Sequence, residues 1–175
     1  MADFEQAFER ALLAEGGYKL HKVAGDTSGL TYAGIARNHN PDWPGWAYID
    51  RGETPPSQLV RDYYREGWWE PIRGDDIADQ AVAYTLYSFA TNSSARLRPT
   101  TAIKLAQLVA GATPDGVFGP KTLAAINAMH PELFVAKYAL ARLARYEQIV
   151  RRNRVQQKFL LGWLSRTLRE SEVAT

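Results

Sequence analysis

Cysteine is absent from the 175 residues, so disulfides and thiolate chemistry are both excluded and the redox compartment is left open. No stretch approaches the roughly 18 consecutive apolar residues of a membrane-spanning helix. The three histidines, His21, His39 and His130, stand at no ligand spacing and have no thiolate beside them, so neither a metal nor a cofactor is expected. A glycine-rich phosphate loop and a nucleophile elbow are missing too, as are internal repeats and low-complexity tracts. The first residues, Met1-Ala2-Asp3-Phe4-Glu5, carry acid where a secretory signal carries base, and no apolar run follows; a signal peptide is not expected.

What is present suits a folded chain. Hydrophobic residues are 46% and charged residues 23%, which argues against disorder. A chain of this length buries roughly 70% of its unfolded surface and needs no metal or disulfide for stability. The net charge of +2 conceals an asymmetry: residues 1–80 hold 8 Lys and Arg against 14 Asp and Glu, net −6, while residues 81–175 hold 13 against 5, net +8. An acidic half joined to a basic half suits two tasks, or one task on a polyanionic surface such as nucleic acid or a cell envelope.

The hydrophobic periodicity predicts a mainly α protein. Phe4, Phe8, Leu12 and Leu13 lie at helical spacing over 3–14, with Asp3 as N-cap and Gly16-Gly17 as terminator. Residues 18–55 are rich in Gly, Pro, Asn and Asp and read as an irregular excursion with a short hairpin or small sheet near 18–35; Tyr32, Trp43, Trp46 and Tyr48 argue that it is ordered. Helices follow after Pro55-Pro56, with Ser57 as cap and Trp68-Trp69 and Pro71 closing it, then over about 76–92. The next spans about 99–109, with Pro99 at its start and Ile103, Leu105 and Leu108 on its apolar face, and another spans about 119–129. The last element, 131–170, is long and basic, with a break near Asn153.

Glu15 is the first residue with chemistry to offer. A carboxylate at a helix C-terminus faces the negative end of the macrodipole, which opposes ionisation, and partial burial pushes its pKa further up. A proton donor working near neutral pH needs that tuning. A lone Glu in such a place is most often a solvated end-of-helix residue. Asp26 and Thr31 alter the balance, because both lie on the irregular segment that follows, and Thr31 opens Thr31-Tyr32-Ala33-Gly34-Ile35, where Gly34 lets backbone approach a ligand closely. Glycosidic cleavage needs an acid for the leaving oxygen and a second polar group to hold water or steady an oxocarbenium-like centre. Asp26 reads equally as an Asx-turn residue within Gly25-Asp26-Thr27-Ser28-Gly29.

Those residues carry a resemblance. Glu15-Gly16-Gly17-Tyr18, followed by Gly25-Asp26-Thr27-Ser28-Gly29-Leu30-Thr31-Tyr32-Ala33-Gly34-Ile35, resembles the signature of glycoside hydrolase family 108, N-acetylmuramidases of phage-lysin type that cut bacterial peptidoglycan. Leu86-Tyr87-Ser88-Phe89-Ala90-Thr91-Asn92-Ser93 is similar to that family's second helix. Residues 99–169, marked by Asp115-Gly116-Val117-Phe118-Gly119-Pro120-Lys121-Thr122 and Phe159-Leu160-Leu161-Gly162-Trp163, resemble the peptidoglycan-binding-like region that follows it. The chain departs from the family pattern at Ser28-Gly29, Ser88 and Ser94.

The resemblance implies a lysozyme-like helical fold, with a muramidase lobe over 1–97 and a peptidoglycan-binding-like region over 98–175 packed into the same globule. It implies Glu15 as catalytic acid, with Asp26 and Thr31 positioning water or stabilising the sugar cation. Tyr18, Tyr32 and Gly34 are expected to contact substrate, and Asn92 either to hold an N-acetyl group or to cap its helix. Trp43, Trp46 and Trp68 read either as sugar platforms or as core anchors. Asp115-Gly116, then Gly119-Pro120, reads as a tight turn opening a helix, which explains that motif without a ligand.

The run Lys137, Arg142, Arg145, Arg151, Arg152, Arg154, Lys158, Arg166 and Arg169 is either a solvated helix face or an attraction to anionic envelope components. No recognition motif accompanies it, so nucleic acid is not the expected partner. The expectation is a monomeric endolysin-type muramidase acting on bacterial peptidoglycan, made in the cytoplasm and reaching the wall through a holin or a dedicated secretion system. A lytic transglycosylase, or an inactive wall-binding or secretion-apparatus component, are the alternatives.

Overall fold

Asp3 starts the first helix as its residue type predicts. In the computed structural model, which describes residues 1–14, 16–22, 29–93 and 99–171, its Oδ1 accepts the Gln6 N–H at 3.1 Å. Helix α1 (Phe4–Ala14) buries Phe4, Ala7, Phe8, Ala11 and Leu12, one helical stripe; Leu13 falls off that stripe and is exposed. Gly16 and Gly17 close it, their N–H groups reaching back to the Leu13 and Leu12 carbonyls at 3.1 and 2.9 Å. Both glycines sit at positive φ, 91° and 74°, where a side chain is strained.

A three-stranded antiparallel sheet follows in the order β1 (Leu20–Lys22), β2 (Leu30–Tyr32), β3 (Ile35–Ala36). Ala33 and Gly34, at φ 49° and 78°, form the two-residue turn between β2 and β3; a tight hairpin turn with two left-handed residues matches the strand twist. Thr31 pairs with His21 on one side and Ala36 on the other, and Tyr32 pairs with Leu20 and Ile35. Cross-strand partners share a face. Tyr32 and Ile35 therefore occupy the core face, and Thr31 shares the opposite face with His21 and Ala36.

After the short α2 (Trp46–Ile49), α3 (Ser57–Tyr64) begins at Ser57 itself, with Pro56 before it. It runs into a wide π turn over Arg65–Trp69. That turn buries two consecutive tryptophans, which the 100° step of an α-helix would send to different faces. The helix expected from about 76 starts later, as α4 (Gln80–Ser93). Gly74–Asp76 forms a separate 3-10 turn, and Asp79 caps α4 by accepting the Val82 N–H at 3.0 Å. Residues 82 to 90 of α4 are all buried, which marks it as the central helix.

The remaining helices are α5 (Thr100–Val109), α6 (Pro120–Asn127), α7 (Pro131–Arg152) and α8 (Gln157–Ser171). On α5 the buried residues are Ala102, Ile103, Ala106 and Gln107; Leu108, expected on the apolar face, is 59% exposed. The basic run does break at Asn153, whose Oδ1 accepts the Val155 N–H at 3.1 Å. Helix α4 packs on α1, α5 and α7, and α8 packs on α7, around one hydrophobic core. The fold is mainly helical and lysozyme-like, and no helix among the described residues is long and apolar enough to cross a membrane.

Candidate active site

The end of α1, the β2–β3 turn, α3 with its π turn, α4 and α8 converge on a cavity of about 220 Å³. Ala14, Gly34, Tyr63, Trp68, Asn92 and Glu170 are among the residues that line it, one from each converging element and two from the segment of α3 and its π turn. The approach of the hairpin is fixed locally. The Tyr64 hydroxyl donates to the Ala33 carbonyl at 3.0 Å, which holds a left-handed alanine in place.

Asn40 organises one wall. It donates from Nδ2 to the Ala36 carbonyl at 3.1 Å and accepts the Tyr63 hydroxyl at Oδ1, 2.8 Å away. Its own carbonyl accepts the Trp46 indole N–H at 2.6 Å. Burial pushes the Tyr63 phenol up to about 12, with the Asn40 hydrogen bond working in the other direction. Trp68 is only 5% exposed, packs against Tyr63 and Tyr64, and keeps a buried indole N–H with no hydrogen-bond partner. A donor left unsatisfied beside a cavity is available to a polar ligand.

The opposite wall joins the middle of the chain to its C-terminal helices. Ser88 on α4 donates to Glu170 Oε1 on α8 at 2.5 Å, and Arg142 Nη1 on α7 donates to Glu170 Oε2 at 2.5 Å. Arg142 is fully buried and Glu170 is 7% exposed. Burial works against the charge of the Arg142 guanidinium, and the adjacent Glu170 carboxylate more than offsets it, so that its pKa stands above the ordinary arginine value. The guanidinium also lies over the Phe89 ring at 5.0 Å. Serine at 88 fits this arrangement, because an acid there would face Glu170 across a hydrogen-bond distance.

The sequence-predicted residues are distributed unevenly. Glu15 and Asp26, like Ser94, lie outside the described residues. Ala14, immediately before Glu15, lines the cavity, as does Gly34. Thr31 is half-buried on the sheet face it shares with Ala36, another lining residue. Asn92 lines the cavity while its amide nitrogen donates to the Ser88 carbonyl at 2.8 Å. Tyr18 and Tyr32 are not among the lining residues: Tyr32 is 4% exposed and stacks on Trp43 at 6.0 Å, with the exposed Tyr18 ring 6.4 Å away. Trp43 and Trp46 are buried, and their indole nitrogens donate to the Leu59 and Asn40 carbonyls.

Residues 8–93 match the family described as Glycosyl hydrolase 108, and residues 101–168 match the one described as Predicted Peptidoglycan domain. The segment over residues 8–93 belongs to glycosyl hydrolase family 108. Among solved structures it is similar to Brucella abortus SagA, at 28% identity over 98% of this chain and 92% of that chain, with a TM-score of 0.74. No curated protein matches it. The chain is a glycoside hydrolase that degrades peptidoglycan.

The peptidoglycan-domain segment reaches the cavity itself through Arg166, and Glu170, just beyond that segment, lines it too. Sequence reasoning did not single out Tyr63 or Asn40 and gave Glu170 no role. An acid at the end of a basic helix was the available signal for Glu170. By contrast, Asp115-Gly116 is the tight turn its residues predict. Gly116 sits at φ 84°, Asp115 Oδ1 accepts the Val117 N–H at 2.8 Å, and Pro120 opens α6.

Proposed function

We propose that this chain is an N-acetylmuramidase, hydrolysing the β-1,4 bond between N-acetylmuramic acid and N-acetylglucosamine with Glu15 as general acid. The observation that carries the reading is the cavity at the end of α1, since Ala14 lines it and Gly16-Gly17 turn the chain there. Glu15 follows Ala14 in sequence, and a carboxylate at the negative end of a helix is disposed to keep its proton nearer neutral pH. It would donate that proton to the glycosidic oxygen as the bond to the anomeric carbon breaks. Water then adds to that carbon and leaves its proton on a base. Asp26, with Thr31, orients that water or steadies the positive charge. For Thr31 the support is the sheet face it shares with Ala36. Asn92 and the Trp68 indole supply polar contacts to the sugar. Residues 1–97 act as the catalytic lobe, and the helical region over 98–175 completes its groove.

The test is release of reducing ends from purified sacculi by the wild type and by Glu15→Gln. The variant should fold normally and lose activity by orders of magnitude. Near-normal release by Glu15→Gln would overturn the assignment. Mass spectrometry of the fragments should give hydrolysed rather than 1,6-anhydro ends; anhydro ends would make the protein a lytic transglycosylase.

A further inference from the structure

A second cavity, about 230 Å³, lies between α4, α5, α7 and α8. It shares two lining residues, Asn92 and Arg166, with the candidate active site, so the two are neighbours along one groove. The chemistry of its walls differs from that of the first. Arg145 and Arg166 both line it, and no Asp or Glu among the described residues does. Arg145 is half-buried and takes part in no ion pair among the described residues. The Ser93 hydroxyl oxygen is buried without a hydrogen-bond partner. Thr101 lines it as well, and the rest of the wall is apolar and aromatic: Phe89, Ile149, and Tyr146 stacked on Trp163 at 5.0 Å.

A neutral sugar ring has no use for a cation held without a counter-charge. A carboxylate on a short aliphatic body does. It would accept hydrogen bonds from a guanidinium and a serine hydroxyl while its carbon skeleton covers the aromatic wall. In peptidoglycan such carboxylates are carried by the peptide stem attached to every muramic acid, not by the glycan backbone. We infer that this cavity is a subsite for the carboxylate-bearing peptide stem of the strand whose glycan occupies the neighbouring cavity. This rests on peptidoglycan as substrate. It makes the C-terminal segment a reader of the stem inside the active-site groove, and leaves the Asp115-Gly116 turn, which is internally satisfied, with a structural role.

Two measurements test it. The first compares kcat/KM on glycan strands whose peptide stems carry free carboxylates with that on strands whose stem carboxylates are amidated, for wild type and Arg145→Gln. The wild type should prefer the free-acid strands, and the ratio of the two values should fall about tenfold in the variant, the effect of losing one charge-assisted hydrogen bond. A wild-type ratio near unity, or a ratio that Arg145→Gln leaves unchanged, overturns the inference. The second is calorimetric titration with the dipeptide N-acetyl-L-alanyl-D-glutamate and with its neutral bis-amide, which needs no catalysis. Binding of the acid that the variant weakens about tenfold supports the subsite, and does so even if neither strand is cut, a result that would count against the hydrolase mechanism alone. Absence of wild-type binding, or equal binding of the neutral form, overturns it.

Discussion

Glu170, one residue short of the end of α8, accepts a hydrogen bond from Ser88, deep in α4, at 2.5 Å. The link crosses 82 positions of sequence and has Arg142 as its third member. Two charges this deeply buried are stable only together, because either alone faces the full desolvation penalty. Glu170→Gln should therefore cost about 3 kcal/mol or more, and Ser88→Ala about 1 kcal/mol, in urea unfolding at neutral pH. A double variant, Arg142→Met with Glu170→Leu, should recover most of the loss, since an apolar pair of similar volume is an acceptable replacement. If Glu170→Gln unfolds at the wild-type urea concentration, Glu170 does not hold the C-terminal helix against α4 and α7.

Tyr63 gives the fold an alkaline limit. Its phenol is pushed up to about 12 by burial, from an ordinary value of 10.0. The folded protein then keeps a proton that the unfolded chain releases. The contribution is complete below pH about 10 and is lost as pH climbs from about 10 to about 12, at about 1.4 kcal/mol for each unit. Tyr63→Phe has no such proton. The difference in unfolding free energy between wild type and Tyr63→Phe should hold constant up to pH about 10 and then shift against the wild type. A difference that stays flat across that interval would show that the phenol titrates as if exposed.

The Trp68 indole offers a different kind of test. Its N–H has no partner to lose, so Trp68→Phe removes an unsatisfied donor along with some buried area. Stability should change by no more than about 1 kcal/mol. If the donor serves the substrate, kcat/KM on sacculi should fall about tenfold, the cost of one hydrogen bond to a polar ligand. An unchanged kcat/KM reduces Trp68 to a wall of the cavity.

Much of the fold was legible because its signals are local. Asp3, the stripe from Phe4 to Leu12 and Gly16-Gly17 define α1 with no help from the rest of the chain, and Asn153 marks the break between α7 and α8. The small sheet after α1 was legible from its turn residues. The late start of α4 was not, since Asp79 competes with Asp76 as a cap and only the Gly74–Asp76 turn decides between them. Of the residues singled out in the sequence, Gly34 and Asn92 line the cavity at the end of α1. The site was hidden where the contact is tertiary. The π turn that brings Trp68 inward has no 3.6-residue signature. Nothing near Glu170 in the sequence points to Ser88. Trp43 and Trp46, ambiguous in sequence between platform and anchor, are buried with their indole N–H groups donated to backbone carbonyls.

Gln107 shows how far such tertiary polar contacts can be tested. It is fully buried, and its side-chain nitrogen lies 2.7 Å from Asp115 Oδ1, 3.0 Å from the Val117 carbonyl and 3.0 Å from Thr122 Oγ1. Its oxygen accepts the Gly116 N–H at 2.9 Å. One amide thus ties the Asp115-Gly116 turn to α5 and α6. Gln107→Leu keeps the volume and abandons these groups, which should cost about 3 kcal/mol. Gln107→Glu is the sharper variant, because it sets a second carboxylate against Asp115. The Asp115 carboxyl is itself held below its ordinary value, first by the Val117 N–H and then by Gln107. Two adjacent acids cannot both ionise cheaply, so Gln107→Glu should be more destabilised than Gln107→Leu at neutral pH and regain ground as pH falls and one of the pair takes up a proton. Thermal melts of the two variants across that range decide it: parallel curves for Glu and Leu would mean that Asp115 does not face residue 107 in solution.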